Sequence, residues 1–401
     1  MRKKDKIAII GNYNVSQLNA SGKRVMGIAD AIVNEYDVLF IGCHNRDTYE
    51  QPKDFGSYSF AFFPYATSII QRTKITKYYK FTIDILKKES FLKAVIIYGS
   101  PVLSLYVRLL MTWCQKNGIA VISDCVDMIF TTGSGGLKDI VKKADMSYLK
   151  KKLYPQSDGI ISISTYIESF YKKKGYSNIV VVPPITQIKE NSNRNRSDCV
   201  KMIYAGIPFN LIPNIDVCDM KDCLDLAIEL FLALVDGGLK AKLKIFGITK
   251  NDYLLCVPRH SELLKNNNCI TFLGKTSNDR IENEMCISDF SILIRDKNPV
   301  TQSGFPTKFS ESLSLGIPVI TTDTSDILKY LVDGKNGFIV DSSINNRDVN
   351  KLLESLENRA VIEEMHNYCK SHYCFSPPKY SSLLVGFISK TIKGRRQDKN
   401  E

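Results

Sequence analysis

The chain has 401 residues, 44% of them hydrophobic and 24% charged, which excludes a disordered or fibrous polypeptide and is length enough for two domains with separate cores. Its 11 cysteines are odd in number and never spaced Cys-x-x-Cys, and its four histidines (His44, His260, His366, His372) lack metal-ligand spacing, so neither a disulfide scaffold nor a zinc module is expected. The net charge of +12 is uneven: residues 1–188 carry 26 Lys+Arg and 15 Asp+Glu, a balance of +11, while the other 28 basic and 27 acidic residues leave +1.

Met1–Lys6 is basic, but the apolar run Ile7–Ile10 is too short for a signal core before Gly11. The mostly apolar stretch Ala94–Val107 is broken by Gly99, Ser100 and Pro101, short of the about 18–20 residues a membrane helix needs. No export signal and no span are therefore expected, and the thiols fit a cytoplasmic protein. Strands are predicted at Ile7–Gly11, Val38–Gly42, Ala94–Tyr98, Ala120–Ser123, Gly159–Ile163 and Ile179–Val182. Helical patterns fall at Val25–Val33 and Leu103–Cys114. β-Branched runs alternating with helices predict a buried parallel sheet.

Pro183-Pro184 breaks the pattern, and the polar Glu190–Asp198 reads as a linker. The alternation then restarts: strand Lys201–Ala205, helix Asp222–Val235, strands Ala241–Phe246, Cys269–Leu273 and Phe290–Ile294, helix Lys308–Leu315 and strand Pro318–Thr322. After Pro377-Pro378, Tyr380–Ile392 is helical and ends in basic residues. The expected domains are 1–188, 189–376 and a terminal segment 377–401. That segment is either a helix docking on a neighbouring domain, with the first as the candidate, or a frayed tail. Two such α/β sheets would place a ligand outside their strands' carboxyl ends, in a cleft between domains. Gly11-Asn12-Tyr13-Asn14 is not a GxGxxG loop, which counts against a nicotinamide dehydrogenase.

The segment Arg295–Thr321, with Glu311, Gly316 and Pro318, resembles the donor-binding segment of GT-B glycosyltransferases, in particular the retaining group called glycosyltransferase family 4. Ser303 stands where that family has its first Glu, usually assigned to hydroxyls of the transferred sugar. Asp333-Gly334, Asn336-Gly337-Phe338, the run Asp158–Ser164, Tyr204-Ala205-Gly206 with Lys221-Asp222, and Ser21-Gly22-Lys23-Arg24 are similar to further family segments in the same order. The basic residue often found close after Gly206 is replaced by Ile207-Pro208-Phe209. The resemblance implies two Rossmann-like domains facing across a cleft, a nucleotide-diphosphate sugar donor, retention of anomeric configuration, and a leaving phosphate that helps deprotonate the acceptor.

On that footing each residue has a chemical role and a plainer alternative. Glu311 suits the vicinal hydroxyls of a ribose, or else compensates a helix dipole. Ser303, Gly304 and Phe305 precede a helix whose N–H groups suit an anion, or else form a turn. Arg295, Lys221 and Lys308 suit a diphosphate, or else are solvated charges. The resemblance sets the N–H of Gly22 against a phosphate. Asp124 and Asp127, at a strand's carboxyl end, are the catalytic candidates, or else turn formers. His44 is a weaker candidate.

No DxD motif occupies an obvious site, so neither a cofactor nor an obligatory metal is expected. The basic first half includes Lys74, Lys77, Lys80, Lys87 and Lys88, and then Lys138, Lys142, Lys143 and Lys150–Lys152, with Phe60, Phe62, Phe63 and Tyr65 upstream. It suggests an anionic membrane surface as partner, on the inner face of the plasma membrane. Solvated lysines and a buried aromatic strand are the alternative. The expected acceptor is a glycan or a polyprenyl-linked glycan, in surface-polysaccharide assembly. A nucleotide-sugar epimerase or a catalytically inactive carbohydrate-binding protein are the rivals. No nucleic-acid-binding signature is present.

Overall fold

The computed structural model describes residues 4–16, 19–128, 137–187, 197–213, 215 and 220–397. The chain divides into two compact units, one of Met1–Ile185 with Pro377–Glu401 and one of Thr186–Ser376. The expected boundary at 188/189 and most of the linker lie outside the described residues.

The first unit is built on eight strands: β1 (Asp5–Gly11), β2 (Tyr36–His44), β3 (Glu50–Phe55), β4 (Tyr58–Pro64), β5 (Leu92–Tyr98), β6 (Ala120–Cys125), β7 (Gly159–Ser162) and β8 (Ile179–Val181). Their order is β3-β4-β2-β1-β5-β6-β7-β8. Only β3 runs antiparallel, against β4. Ile7, Ala8, Ile9 and Ile10 of β1 are all fully buried, which is why the run reads as continuous apolar rather than alternating: both sheet faces are covered. Chain order reverses between β1 and β5, the switch point at which open sheets of this kind bind ligands. The hairpin edge was not expected. Its outer strand, Glu-Gln-Pro-Lys-Asp-Phe, is polar and carries a proline that only an edge tolerates.

The helix Pro377–Gln397 returns to this unit and packs on the helix Ala20–Ile32. Pro377 and Pro378 open it, where a missing N–H costs nothing. Leu384 and Ile388 are fully buried in one cluster with Val25, Ile28 and Ile32. Asn178 donates to Thr391 Oγ1 at 3.1 Å, and Tyr36 shares a hydrogen bond with Ser389 at 2.7 Å.

The second unit holds β9 (Val200–Ala205), β10 (Ala241–Phe246), β11 (Ile270–Gly274), β12 (Phe290–Leu293), β13 (Val319–Thr321) and β14 (Gly337–Ile339), in the order β11-β10-β9-β12-β13-β14. Every pairing is parallel. The order reverses between β9 and β12, so the loops leaving those two strands frame this unit's switch point.

Because Leu384 fills the first unit's core from the far end of the sequence, Leu384→Ala should cost about 2–5 kcal/mol. In a thermal scan that resolves two transitions, only the first unit's transition should fall. A shift confined to the second unit's transition would contradict this packing.

Candidate functional site

The switch point of the second unit is organised around a buried carboxylate. Asp222, 2% exposed, lies just before the helix Leu224–Asp236. Its Oδ1 accepts from Arg295 Nε and pairs with the same guanidinium's Nη2, each at 2.7 Å. Its Oδ2 accepts from Tyr204 Oη at 2.8 Å and from Lys308 Nζ. Lys308 also donates to Tyr204 Oη at 3.0 Å and lies 4.7 Å above that ring. The loops are stitched by backbone: Cys223 N donates to Ile294 O at 2.9 Å. Arg295 N donates to Thr322 Oγ1 at 2.9 Å, and that hydroxyl returns a bond to Arg295 O at 2.7 Å.

A side chain at Gly206, φ +138°, would overlap the Lys308 methylenes. Glycine is therefore required for the lysine to cross the end of β9.

Burial opposes the ionisation of Asp222, but the Arg295 guanidinium and the Lys308 ammonium outweigh it and hold the carboxyl well below the usual range. Burial lowers the Lys308 ammonium, with Asp222 and Glu311 opposing that effect. Lys221 faces solvent as a residue. Even so, crowding by protein atoms and then the nearby Arg295 lower its ammonium to about 8. Three cations thus gather against one buried carboxylate, a surplus suited to an anion at the strand ends.

Asp222 itself was not singled out in the sequence. An acid after Lys221 and before an apolar helix reads as a cap, and only tertiary structure brings Tyr204, Arg295 and Lys308 to it.

The helix Thr307–Ser314 places Glu311 one turn beyond Lys308, partly buried and past the first turn. Other motif residues are committed to the fold. Ser303 has no exposed surface, and its Oγ donates to Val300 O at 3.1 Å. Its side chain turns inward, so any share it has in the expected anion site falls to its backbone. Phe305 is likewise buried, its ring 6.0 Å from Phe309, 5.7 Å from Tyr330 and 5.8 Å from Phe375. That ring belongs to an aromatic core and presents no face to a ligand. Gly304 has φ −86°, open to any residue, so left-handed backbone is not its reason. Gly316, by contrast, has φ +75°, and a Cβ there would meet Lys370 Cγ at 2.8 Å. Downstream, Asp333 Oδ1 accepts from Ile339 N at 2.9 Å, and Asn336 Oδ1 from Val332 N at 2.7 Å. Those residues close a turn.

In the first unit the expected residues separate. The N–H of Gly22 was set against a phosphate, but it donates to Asn19 Oδ1 at 2.9 Å as a helix cap. Gly22 is glycine because a Cβ would collide with the Asn14 carbonyl. Asp124 is buried in a pair with Arg24, at 2.8 and 3.1 Å. Arg24 also donates to Val182 O and Pro183 O at 2.6 Å each. That carboxylate ties helix, β6 and the segment after β8 together. Asp127, in contrast, is partly exposed and pairs with Lys150. Lys150 sits in the π-helical turn Leu149–Leu153, and burial lowers its ammonium to about 8.

His44 is buried rather than a surface residue, and its Nδ1 accepts from Arg46 N at 2.9 Å. Phe60 stacks on Phe40 at 4.9 Å, and Phe63 is buried. Lys74, Lys77, Lys80, Lys87, Lys88, Lys142, Lys143, Lys151 and Lys152 are exposed, while the side chain of Lys138 lies outside the described residues.

Residues 212–372 match the family model for glycosyl transferases group 1, a stretch that contains Lys221, Asp222, Arg295, Lys308 and Glu311. No curated protein matches the chain by sequence. By structure the chain is similar to sucrose-phosphate synthase from Thermosynechococcus elongatus (TM-score 0.63, 11% identity, covering 98% of this chain and 99% of that one). It is similar also to Anabaena HepE in complex with UDP and glucose (TM-score 0.62, 11% identity, 96% and 100% covered). A third is the E. coli trehalose-6-phosphate structure bound with UDP-2-fluoro glucose (TM-score 0.62, 8% identity, 98% of each chain covered). At these identities the likeness is one of fold: the two parallel-sheet units match GT-B glycosyltransferase structures.

Asp222→Asn and Asp124→Asn each leave a buried guanidinium without its counter-charge. Each should lower stability by about 3–5 kcal/mol, read as a fall in thermal midpoint. An unchanged midpoint would show that the carboxylate does not hold its arginine.

Proposed function

We propose that the chain is a glycosyltransferase that moves a sugar from a nucleotide-diphosphate sugar to a hydroxyl of a glycan or polyprenyl-linked glycan. The observation that carries this reading is the cation cluster at the switch point between β9 and β12, inside the stretch that matches the glycosyl transferases group 1 model. A diphosphate leaving group gains negative charge as its bond to the sugar breaks. Lys221, Lys308 and Arg295 exceed Asp222 in charge and would stabilise that gain. Glu311 would accept from ribose hydroxyls, at about 1.5–3 kcal/mol per charged bond. Charge from side chains makes an obligatory divalent metal unnecessary, and no cofactor is invoked.

Retention, with the leaving phosphate taking the acceptor's proton, follows the family analogy. Of the two first-unit carboxylates, Asp127 is the one left to orient a hydroxyl, since Asp124 is committed to Arg24. Surface-polysaccharide assembly at the inner face of the plasma membrane is the setting we favour. Its support is the +11 balance of residues 1–188 together with exposed Ile140 and Val141 beside Lys142 and Lys143. Among the described residues no helix is long and apolar enough to cross a membrane.

A thermal-shift series with UDP, GDP and ADP should single out one nucleotide, with about 2.7 kcal/mol of stabilisation at about 100 times its Kd. Glu311→Ala should weaken that nucleotide about tenfold or more. No shift with any of the three near millimolar concentration would end this reading.

Affinity for the same nucleotide should fall as pH rises through about 8, because Lys221 is charged below that value and neutral above it. Lys221→Gln should remove that limb of the profile. A limb that survives the substitution would assign it to another group.

A further inference from the structure

The first unit has its own switch point, between β1 and β5, and a cavity of about 370 Å³ opens there. Asn12 follows β1, Pro101 follows β5, Asn45, Arg46 and Asp47 follow β2, and Tyr65 follows β4. β1, β2, β4 and β5 are all interior strands of the sheet, and all reach the cavity with their carboxyl ends, where ligands of open α/β sheets are held. Arg72 closes one side.

The lining is polar and its charge is lopsided. Arg46 and Arg72 face a single lining carboxylate, Asp47. Arg46 is already engaged, donating to Glu50 at 3.0 Å. Arg72 is partly buried and, among the described residues, its guanidinium has no hydrogen-bond or ion-pair partner. The side chains of Asn12, Asn45 and Tyr65 are equally uncommitted. An unpaired guanidinium at the wall of a polar cavity is a fork for two oxygens of one anion, and guanidinium geometry matches phosphate. The amides and the phenol around it suit hydroxyls. A volume near the lower end for small-molecule sites suits one sugar-sized group rather than an extended chain.

We propose that this cavity is the acceptor site and that the acceptor group it holds carries a phosphate, bound by Arg72 and flanked by Asn12, Asn45 and Tyr65. This rests on the glycosyltransferase reading above and adds the acceptor's chemistry to it. Two sources supply such a group, a phosphorylated sugar and the diphosphate of a polyprenyl-linked glycan.

Calorimetric titration of the full chain tests the assignment. UDP is titrated first, so that the donor reading is judged on its own result. Glucose 6-phosphate, glucose and farnesyl diphosphate are then titrated with UDP saturating, which keeps phosphate ligands out of the donor site. If UDP does not bind, the same three titrations are run without it. One phosphorylated ligand should saturate, bind about tenfold or more tighter than glucose, and weaken about tenfold or more in Arg72→Gln, with Arg72→Lys intermediate. Preference for glucose 6-phosphate assigns a phosphorylated sugar, and preference for farnesyl diphosphate assigns the lipid diphosphate. Arg72 bears on no buried group, and an unchanged thermal midpoint in both variants verifies that the fold is intact. Phosphate ligands that bind no better than glucose, or that bind Arg72→Gln as well as the parent, overturn the proposal whatever UDP does.

Discussion

The second unit's site depends on one buried carboxylate. Asp222 has no surface to speak of, yet it stays ionised because Arg295 and Lys308 reach it from two other loops and Tyr204 adds a hydrogen bond. An isolated carboxylate in that position would be neutral or would destabilise the fold by several kcal/mol. The dependence is mutual, since Arg295 is equally enclosed. The gain is orientation. Cations on long side chains would otherwise spread into solvent and repel one another. Tied to a shared anion, Arg295 and Lys308 keep fixed positions and an excess of positive charge, to which Lys221 adds. On the donor reading proposed above, an arriving phosphate would meet charge already in place, the condition under which electrostatic stabilisation is strongest.

The first unit uses the same physics for a different end. Arg24 and Asp124 are as deeply buried as Arg295 and Asp222, but Arg24 directs its remaining donors at two carbonyls, Val182 and Pro183. Among the described residues no further cation pairs with Asp124, so the pair is neutral and serves to fix the strand ends. Position relative to the switch point separates the two cases. Asp222 and Arg295 sit on the loops of β9 and β12, which flank the reversal of strand order. Asp124 ends β6, one strand away from the reversal between β1 and β5.

Much of the fold was legible. Strands buried on both faces show as short β-branched runs, and each predicted run lies within one or two residues of a strand. The pattern missed the short buried strand β14 and several amphipathic or polar elements: the edge strand Glu50–Phe55, the helix Asn278–Cys286 with its dense charges, and the helices Asn346–Leu356 and Arg359–Ser371. The candidate residues were legible by place but not by partner. Arg295, Lys308 and Glu311 stand where the pattern put them. That Phe305 packs into an aromatic core and that Asp222 is the hub follow from contacts between residues distant in sequence, which no local pattern carries, whereas the Asn19 cap on the Gly22 N–H and the Ser303 bond to Val300 O each span three residues and lay within reach of a local reading.

That distinction bears on what a motif can transfer. In Ser303–Thr321 and the turn after it, Gly316, Asp333 and Asn336 match the family pattern for reasons of backbone geometry alone: a left-handed φ and closed turns. They report the fold and would be needed whatever ligand is bound. Lys308 and Glu311 are the motif positions that combine a charge with some exposed surface. Ser303 belongs to the first class, its side chain enclosed and turned to the Val300 carbonyl. A single motif thus supports a nucleotide-diphosphate site more firmly than it supports any particular sugar.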